Sequence, residues 1–508
     1  MYRQEKQLLL PPENFALPFE GKLSPNNRWV IMASLIPWED FEEEYAKLFD
    51  SEKGAPAKPF RMALGTLIIK EKLGTSDRET IEQITENPYL QYFIGLNSYQ
   101  QEPPVDASML VHFRKRISVE LVNKINQEIV KREKDKLDSQ VKKKGLRPEQ
   151  REKITNQGKL ILDATCAPAD IRYPTDLGIL NQARIETEKI INALYKPLRG
   201  KQINKPRTCR RIAKKEYLKV AKKRQPSYQE RREAIGKQLK YVKKNLGQIE
   251  QLIKAGADLK KLSNRRQNLL NTVKKVYEQQ QQMWDDKTQS VPQRIVSLTQ
   301  PHVRPIVRGK AGKPVEFGAK LSVSCVDNYV FLDRISWENF NESCDLKEQV
   351  EKYRKTFGYY PESVHVDRIY RTRENRAWCK ARGIRISGPQ LGRPPKNISK
   401  QEKKQALDDE CFRNAIEGKF GQAKRRFSLK LVMTKLPETS ETSIAITFLV
   451  VNLGRLLRQF LSLFLCFLIN PRTKELNQRF FFKKSYIKNN LDSVKLINKS
   501  VNNWHLAA

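Results

Sequence analysis

Three acidic residues have the types and spacing that divalent-metal chemistry requires. Asp163 ends the short apolar run LILD, Asp367 ends the β-branched run SVHVD, and Glu417 lies fifty positions after Asp367. Such runs are typical of buried strands, which would deliver both aspartates to sheet edges. Carboxylates without histidine partners favour Mg²⁺ or Mn²⁺, and two such ions about 4 Å apart activate a water or a 3′-hydroxyl for phosphoryl transfer. We therefore expect metal-dependent phosphoryl transfer, although acidic strand ends are common and the spacing alone is a weak signal.

The segment around Glu417, FRNAIEGKFGQAKRRF, predicts a helix that carries both an acid and cations. At about 100° per residue, Arg413, Glu417, Gly421 and Lys424 fall on one arc, and Arg425 follows. An adjacent apolar stripe consists of Ile416, Phe420, Ala423 and Phe427. The cations would hold phosphates on either side of the acid. The alternative is a surface ion pair between Arg413 and Glu417, worth a few tenths of a kcal/mol.

The composition favours a polyanionic partner. The chain has 508 residues, a formal net charge of +39 and 39% hydrophobic residues, enough for roughly two to four domains. Its pI of about 9.9 favours nucleic acid, an acidic membrane or an RNA-rich assembly, and charge alone does not choose among them. The N-terminus lacks the pattern of a secretory signal, so we expect a cytoplasmic protein. Its seven scattered cysteines argue against a disulfide framework or a zinc ribbon.

One C-terminal run is apolar enough to raise the question of a membrane helix. Residues 443–469 are interrupted by Asn452, Arg455, Arg458 and Gln459. No stretch of about 18 to 20 uninterrupted apolar residues remains, which a spanning helix needs. We interpret the run as a buried amphipathic helix and expect no membrane partner.

Residues 59–135 have the pattern of a compact helical unit. Ser76 and Glu79 match a capping box at the start of one helix. Asp106 is placed to cap another helix over 107–132, which contains a basic turn formed by Arg114, Lys115 and Arg116. Short helices with cations near the start of one of them suit DNA docking. A helical bundle with ordinary surface charge is the alternative.

The rest of the chain alternates strands and helices around a long basic segment. Asp327 and Asn328 predict a hairpin turn between two strands, and Asp176 is interpreted as the cap of a helix. Residues 186–305 predict an antiparallel helical hairpin, with Gly256 ending its first long helix. A charge-rich hairpin of this kind is either a solvated spacer or a contact to the DNA backbone.

The three acid-containing blocks resemble a known family. DDE transposases of bacterial insertion sequences, in the insertion-sequence-5 and insertion-sequence-4 neighbourhood, have signature blocks that resemble LILDATCAPADIRYPTDLGILNQAR, GYYPESVHVDRIYRTRENRAWCKARGIRISGP and FRNAIEGKFGQAKRRFSL. Residues 59–116 resemble the helical N-terminal domain of the same enzymes. The resemblance implies that Asp163, Asp367 and Glu417 are the catalytic triad and bind two Mg²⁺ or Mn²⁺ ions.

The resemblance also assigns cations that would bind DNA. The Arg, Glu and Lys of the family signature Y-x₂-R-x₃-E-x₆-K match Arg413, Glu417 and Lys424. Two positions depart from the family pattern. Glu410 stands where that signature has Tyr, and Ile369, shortly after the second aspartate, stands where many relatives have Gly. Neither departure removes a metal ligand. The predicted DNA-binding set is completed by Arg425, Arg114, Lys115 and Arg116.

The fold class that the resemblance implies is α/β. An RNase H-like catalytic domain is interrupted by a helical insertion and preceded by an all-helical DNA-binding domain. We place the N-terminal domain and its linker at residues 1–150, the catalytic domain at 151–185 plus 306–472, the basic helical hairpin at 186–305, and a peripheral basic tail at 473–508.

The implied function is DNA transposition. The enzyme would bind the terminal inverted repeats of an insertion sequence, cleave phosphodiester bonds and transfer the strands to target DNA, as a homodimer in the synaptic complex. Two alternatives stay open: an RNase H-like DNA nuclease without strand transfer, and a catalytically decayed relative that only binds DNA.

Overall fold

The computed structural model describes residues 10–17, 21–50, 56–142, 156–200, 204–310, 313–388 and 399–469. The predicted tail at 473–508 lies outside these residues. By its internal contacts the chain divides into one unit of Met1–Leu453 and a second of Gly454–Ala508. The elements that position the candidate site lie in the first unit.

Helices form the N-terminal part of the chain. They are α1 (Arg28–Leu35), α2 (Trp38–Ala46), α3 (Phe60–Leu73), α4 (Asp77–Glu86), α5 (Pro88–Phe93), α6 (Met109–Arg116) and α7 (Val119–Lys142). The predicted capping box of α4 is confirmed for its Ser76 half, because the Ser76 hydroxyl accepts a hydrogen bond from the Glu79 amide at 3.2 Å. The Glu79 carboxylate instead accepts from the Gln83 side chain at 2.9 Å. The single helix predicted over 107–132 is wrong. The backbone is extended at Ile117, and the Ser118 side chain caps a new helix, α7.

Within the described residues, one mixed sheet of six strands follows. They are β1 (Lys159–Pro168), β2 (Arg304–Lys310), β3 (Lys313–Val326), β4 (Tyr329–Ser336), β5 (Ser363–His365) and β6 (Arg385–Ser387). The long strand β3 pairs antiparallel with β1 along one edge, and with β4 and β2 along the other. On its other side β1 pairs in parallel with β5, which pairs in parallel with β6. β1 is therefore an inner strand, and its apolar residues 160–162 are buried.

The predicted hairpin turn between β3 and β4 is confirmed. Asp327 and Asn328 have φ values of 50° and 66°, in the left-handed region that Asp and Asn tolerate best after Gly. The turn pairs Val326 with Tyr329 and so brings β4 back along β3.

Between β1 and β2 the described chain is mainly helical. It contains α8 (Asp176–Tyr195), α9 (Arg210–Ala221), α10 (Tyr228–Lys254) and α11 (Asn264–Asp285). α10 and α11 form the predicted antiparallel pair, with Gly256 at a φ of 93° after α10. α8 packs with both in one apolar core that includes Ile179, Leu180, Ala183, Leu239, Val242, Val273 and Val276. The packed helical unit therefore includes α8, which begins before residue 186.

The first turn of α8 differs from the prediction. Thr175, and not Asp176, caps the helix, since its hydroxyl accepts the Gly178 amide at 3.1 Å. The Asp176 carboxylate instead accepts hydrogen bonds from Gln280 at 2.7 Å and from Arg294 at 2.5 Å. It thus ties α8 to α11 and to the segment that returns to the sheet.

The remaining helices are α12 (Leu346–Phe357), α13 (Arg373–Lys380), α14 (Lys400–Arg426) and α15 (Pro437–Ile469). By length and composition, the part of α15 over Pro437–Ser462 is apolar enough to cross a membrane. However, 72% of its apolar window is buried within the protein, and core helices of soluble proteins pass the same test.

Buried amides join the N-terminal helices to the sheet. The Asn452 side chain of α15 accepts the Val330 amide at 2.9 Å and donates to the Val330 carbonyl at 2.8 Å and to the Asn126 side chain at 2.9 Å. Asn126 of α7 donates to the same carbonyl at 3.0 Å. The N-terminal helices are therefore packed on the sheet through α7.

Candidate active site

Two of the predicted acids follow the last paired residues of two neighbouring strands. β1 and β5 pair in parallel with Ile161 opposite His365. Asp163 and Asp367 each lie two residues further along, toward the carboxyl ends of these strands. The parallel register thus brings together two carboxylates that are far apart in the chain.

The two aspartates occupy different local settings. Asp367 lies just beyond β5 and caps a short 3-10 helix by accepting the Arg368 amide at 2.6 Å. Asp163 lies inside β1, and not at its end as we expected, because β3 pairs with β1 as far as Pro168. The sheet edge at Asp163 is open because β5 is short, and not because β1 stops there.

The carboxylate of Asp163 is half-buried, and the charges of the other two acids shift its pKa. Burial, together with the nearby carboxylates of Asp367 and Glu417, raises the pKa of Asp163 to about 6. The Ala164 amide, at 2.8 Å, and the Arg413 guanidinium act in the opposite direction. All three predicted ligands therefore belong to one electrostatic site, and a carboxyl with a pKa shifted by burial and by specific charges is typical of a functional site.

Glu417 lies on α14, as predicted, and this helix packs against β1 and β5. The apolar stripe that faces the core is confirmed for Ile416, Phe420 and Ala423. The Glu417 side chain is 56% exposed and pairs with Arg413, whose side chain is 17% exposed, at 3.3 Å. The ion pair that we considered as an alternative is thus present beside the site.

The donor set suits a hard divalent cation, but the side chains are not gathered into a metal cage. Within the described residues, no three His, Cys, Asp or Glu side chains are close enough together to hold a metal ion. Carboxylate oxygens without imidazole or thiolate partners are nevertheless the ligands of Mg²⁺ and Mn²⁺. The repulsion that Asp163 experiences from Asp367 and Glu417 is the kind that a bound cation relieves.

The other two cations of α14 that we predicted to bind DNA lie beyond Glu417. Lys424 is half-buried and Arg425 is exposed. The Arg425 Nε donates to the Gly421 carbonyl at 3.2 Å, and its guanidinium lies over the Cα of Gly421, so this glycine accommodates a side chain of the same helix.

The structure separates the three predicted cations of the N-terminal basic turn. Arg114 is buried, with 3% exposure, and forms a two-point ion pair with Asp77 of α4, with one contact at 3.0 Å. The guanidinium is therefore used inside the protein, and the assignment of Arg114 to DNA binding stays a prediction that this ion pair opposes. Lys115 and Arg116 are exposed, and Arg116 lies over the Phe49 ring at 4.4 Å.

The sequence analysis missed an ion pair near the site between a buried carboxylate and an exposed arginine. Asp409 of α14 accepts two hydrogen bonds from Arg385 of β6, at 2.6 and 2.9 Å. Burial alone would raise the pKa of Asp409, but the bonds from Arg385, Ser387 and Gln405 outweigh it and lower the pKa to about 2. No local pattern reveals this pair, since its partners are 24 residues apart on different elements.

The chain matches two protein-family models. Residues 364–454 match a model described as Transposase DDE domain, and residues 17–116 match one described as Transposase domain. Among curated proteins, the "Uncharacterized protein ORF8 in nfe locus" of Rhizobium meliloti is 31% identical over 154 residues, which are 30% of this chain and 68% of that protein. The chain belongs to the DDE transposase family. No solved structure matches it.

The matched ranges cover the transposase only in part. The range 364–454 contains Asp367 and Glu417, whereas Asp163 lies before it. The range 17–116 spans α1 to α6. The family resemblance seen in the sequence is confirmed, and the assignment of individual catalytic and DNA-binding residues stays a prediction.

Proposed function

We propose that this transposase binds the terminal inverted repeats of an insertion sequence, cleaves phosphodiester bonds there and transfers the strand ends to target DNA. The observation that carries the proposal is the parallel register of β1 and β5, whose last pair is Ile161 and His365. Asp163 and Asp367 each follow this pair by two residues. α14, with Glu417, packs against both strands. This placement supports Asp163, Asp367 and Glu417 as the catalytic triad.

The catalytic part is proposed to be RNase H-like. Its sheet runs β3–β1–β5–β6, and both β2 and β4 pair with the far edge of β3. The pairs are antiparallel on one side of β1 and parallel on the other. This order agrees with such a fold, and it makes β1 and β5 direct neighbours. The helices α8 to α11 then form the insertion, between β1 and the following strands.

Asp163, Asp367 and Glu417 are the residues that would hold two Mg²⁺ or Mn²⁺ ions. Such ions stabilise the negative charge that develops on the attacking and leaving oxygens in phosphoryl transfer. The half-buried position of Asp163 strengthens its attraction for a cation, because charges interact more strongly away from bulk water. Arg413 orients Glu417 through their ion pair.

Double-stranded DNA is the proposed partner. Lys424 and Arg425 follow Glu417 on α14 and are suited to binding the phosphates on one side of the scissile bond, while Lys115 and Arg116 form a second basic position. With a net charge of +39, most of the affinity is expected to be electrostatic and to fall steeply with salt. The proposed assembly is a homodimer on paired element ends, acting in the cytoplasm on the bacterial nucleoid.

The test is cleavage of labelled element ends with Mg²⁺ or Mn²⁺. Asp163→Asn, Asp367→Asn and Glu417→Gln are each expected to lower the cleavage rate about 100-fold or more, because a charge that contacts the transition state is lost. Asp170→Asn is the matched control, since Asp170 belongs to the same sequence block but not to the triad. Triad variants that fold and cut like the wild type would refute the assignment.

The products distinguish the proposal from its two alternatives. A transposase joins the cut 3′ ends to an added target duplex, whereas a nuclease without strand transfer leaves them free. A decayed relative binds the ends and yields no cut product with either metal ion.

A further inference from the structure

The helix that carries Glu417 is held at two points, one on each side of this residue. Asp409 lies eight residues before Glu417 within α14, and Ser428 lies eleven residues after it, directly beyond the helix. Each point is tied to a different part of the protein through a buried carboxylate.

The first point fixes α14 to the edge of the sheet. Asp409 is 7% exposed and receives both bonds of the Arg385 guanidinium from β6. Gln405, one turn earlier in α14, donates to the same carboxylate at 3.0 Å. A two-point bond between a planar guanidinium and a carboxylate restricts rotation as well as distance. The sheet therefore sets the rotation of α14 about its own axis.

The second point fixes the end of α14 to the N-terminal helices. Glu71 of α3 is 5% exposed and accepts the Ser428 amide at 2.9 Å and the Ser428 hydroxyl at 2.7 Å. The Thr447 hydroxyl of α15 donates to it at 2.7 Å. A buried carboxylate that accepts three hydrogen bonds holds its donors strongly, because a buried charge without partners is costly.

Glu417 depends on these anchors because its own side chain does little to fix its position. Its side chain is 56% exposed and pairs with Arg413 of the same helix, which would move together with it. Successive residues of an α-helix are about 100° apart, so even a modest rotation of α14 would turn Glu417 away from Asp163.

We propose that Glu71 and Asp409 are positioning residues, which hold α14 so that Glu417 faces Asp163 and Asp367. This inference rests on the proposed function. It gives the N-terminal helices a part in the geometry of the catalytic site, in addition to any part they have in binding DNA.

The experiment measures kcat and KM for end cleavage by the full chain, together with hydrogen exchange of α14 in metal-free protein. Asp409→Asn and Glu71→Leu are expected to lower kcat about 10- to 100-fold, since a displacement of about 1 Å has this effect, and to leave KM for DNA within about twofold. Both are expected to speed exchange in α14. Glu71→Gln keeps an acceptor for Ser428 and should restore most of the rate.

Thr442→Val is the matched control. The Thr442 hydroxyl donates to the Arg114 and Ile117 carbonyls at 2.9 Å, so it joins α15 to the N-terminal helices without contacting α14. The variant should lose stability but keep kcat and the exchange pattern of α14. If Glu71→Leu does not fold, Ser428→Ala takes its place in the experiment, because this variant removes the hydroxyl that donates to Glu71.

The outcomes separate this inference from the proposed function. Wild-type kcat and unchanged α14 exchange in Asp409→Asn and in the Glu71 or Ser428 variant would overturn the inference, while the triad variants could still be inactive. An equal loss of kcat in Thr442→Val would also overturn it, because general stability would then be the cause. If the triad variants cut normally, the proposed function itself fails.

Discussion

The half-buried carboxylate of Asp163 should make metal binding depend on pH near neutrality. Its pKa of about 6 means that it is mainly ionised at pH 7 and mainly protonated at pH 5. A ligand must lose its proton before it binds a cation, so Mn²⁺ affinity should fall up to about tenfold per pH unit below 6. Electron paramagnetic resonance titrations at pH 5, 6 and 7.5 would measure this dependence. Equal affinities at pH 5 and 7.5, or the same slope in Asp163→Asn, would contradict it.

Two adjacent cations of α6 should respond to substitution in opposite ways. Arg114→Ala removes a buried partner of Asp77 and is expected to cost about 2 kcal/mol of folding free energy. Lys115→Ala removes an exposed charge, so stability should change by less than about 0.5 kcal/mol. If Lys115 contacts a phosphate, its loss lowers the salt slope of DNA binding by about one. Chemical denaturation and binding isotherms at several salt concentrations test both. A larger loss of stability in Lys115→Ala than in Arg114→Ala would contradict the assignment of a structural role to Arg114 and of a surface role to Lys115.

At the scale of the element, the anchor of α14 to β6 should contribute stability that acid removes. The folded-state pKa of Asp409, about 2, lies below its ordinary value of 3.8, so its contribution is complete above about pH 4 and is lost as pH falls toward 2. At pH 6 the wild type should be more stable than Asp409→Asn by about 2 kcal/mol, and the difference should shrink between pH 4 and 2. Urea unfolding of both proteins across this range measures it. A difference that is constant with pH would exclude the linkage.

Elements with local signals could be predicted, and those that depend on distant partners could not. The turn at Asp327 and Asn328 and the cap at Ser76 follow from residue types that are next to each other in the chain. The extension of β1 past Asp163 depends on pairing with β3, more than 150 residues later. Arg114 looks like its exposed neighbours in the sequence, and only its contact with Asp77, 37 residues away, shows that it is buried. In the candidate site, the residue types and their positions identified the three acids of the triad. The anchors Glu71 and Asp409 could not be recognised in the sequence, because their partners are distant in the chain.

At the scale of the whole molecule, the N-terminal helices and the sheet are expected to unfold together. Asn452 joins α15 to β4 and α7, and its side chain uses both its donor and its acceptor in doing so. Asn452→Leu would remove the buried partners of the Val330 amide and of the Asn126 side-chain oxygen, while Asn126 would keep its bond to the Val330 carbonyl. Each unsatisfied group costs about 1–3 kcal/mol, so the variant should be less stable by at least about 2 kcal/mol. Asn123→Ala is the control, since it removes one bond, to the Leu332 carbonyl at 3.0 Å.

The measurement is native-state hydrogen exchange combined with calorimetry. In Asn452→Leu, amides of α3, α6, α7 and the sheet should lose protection by the same free energy. The reason is that the buried network of Asn452, Asn126 and Val330 links the N-terminal helices to the sheet. The calorimetric transition of these parts should stay single and shift to lower temperature, whereas Asn123→Ala should shift it less. Separate loss of protection in the N-terminal helices, with the sheet unchanged, would mean that they are an independent domain. Glu71 could then not hold α14 when those helices open. During such opening, the helix that carries Glu417 would be anchored only at β6, through Asp409 and Arg385.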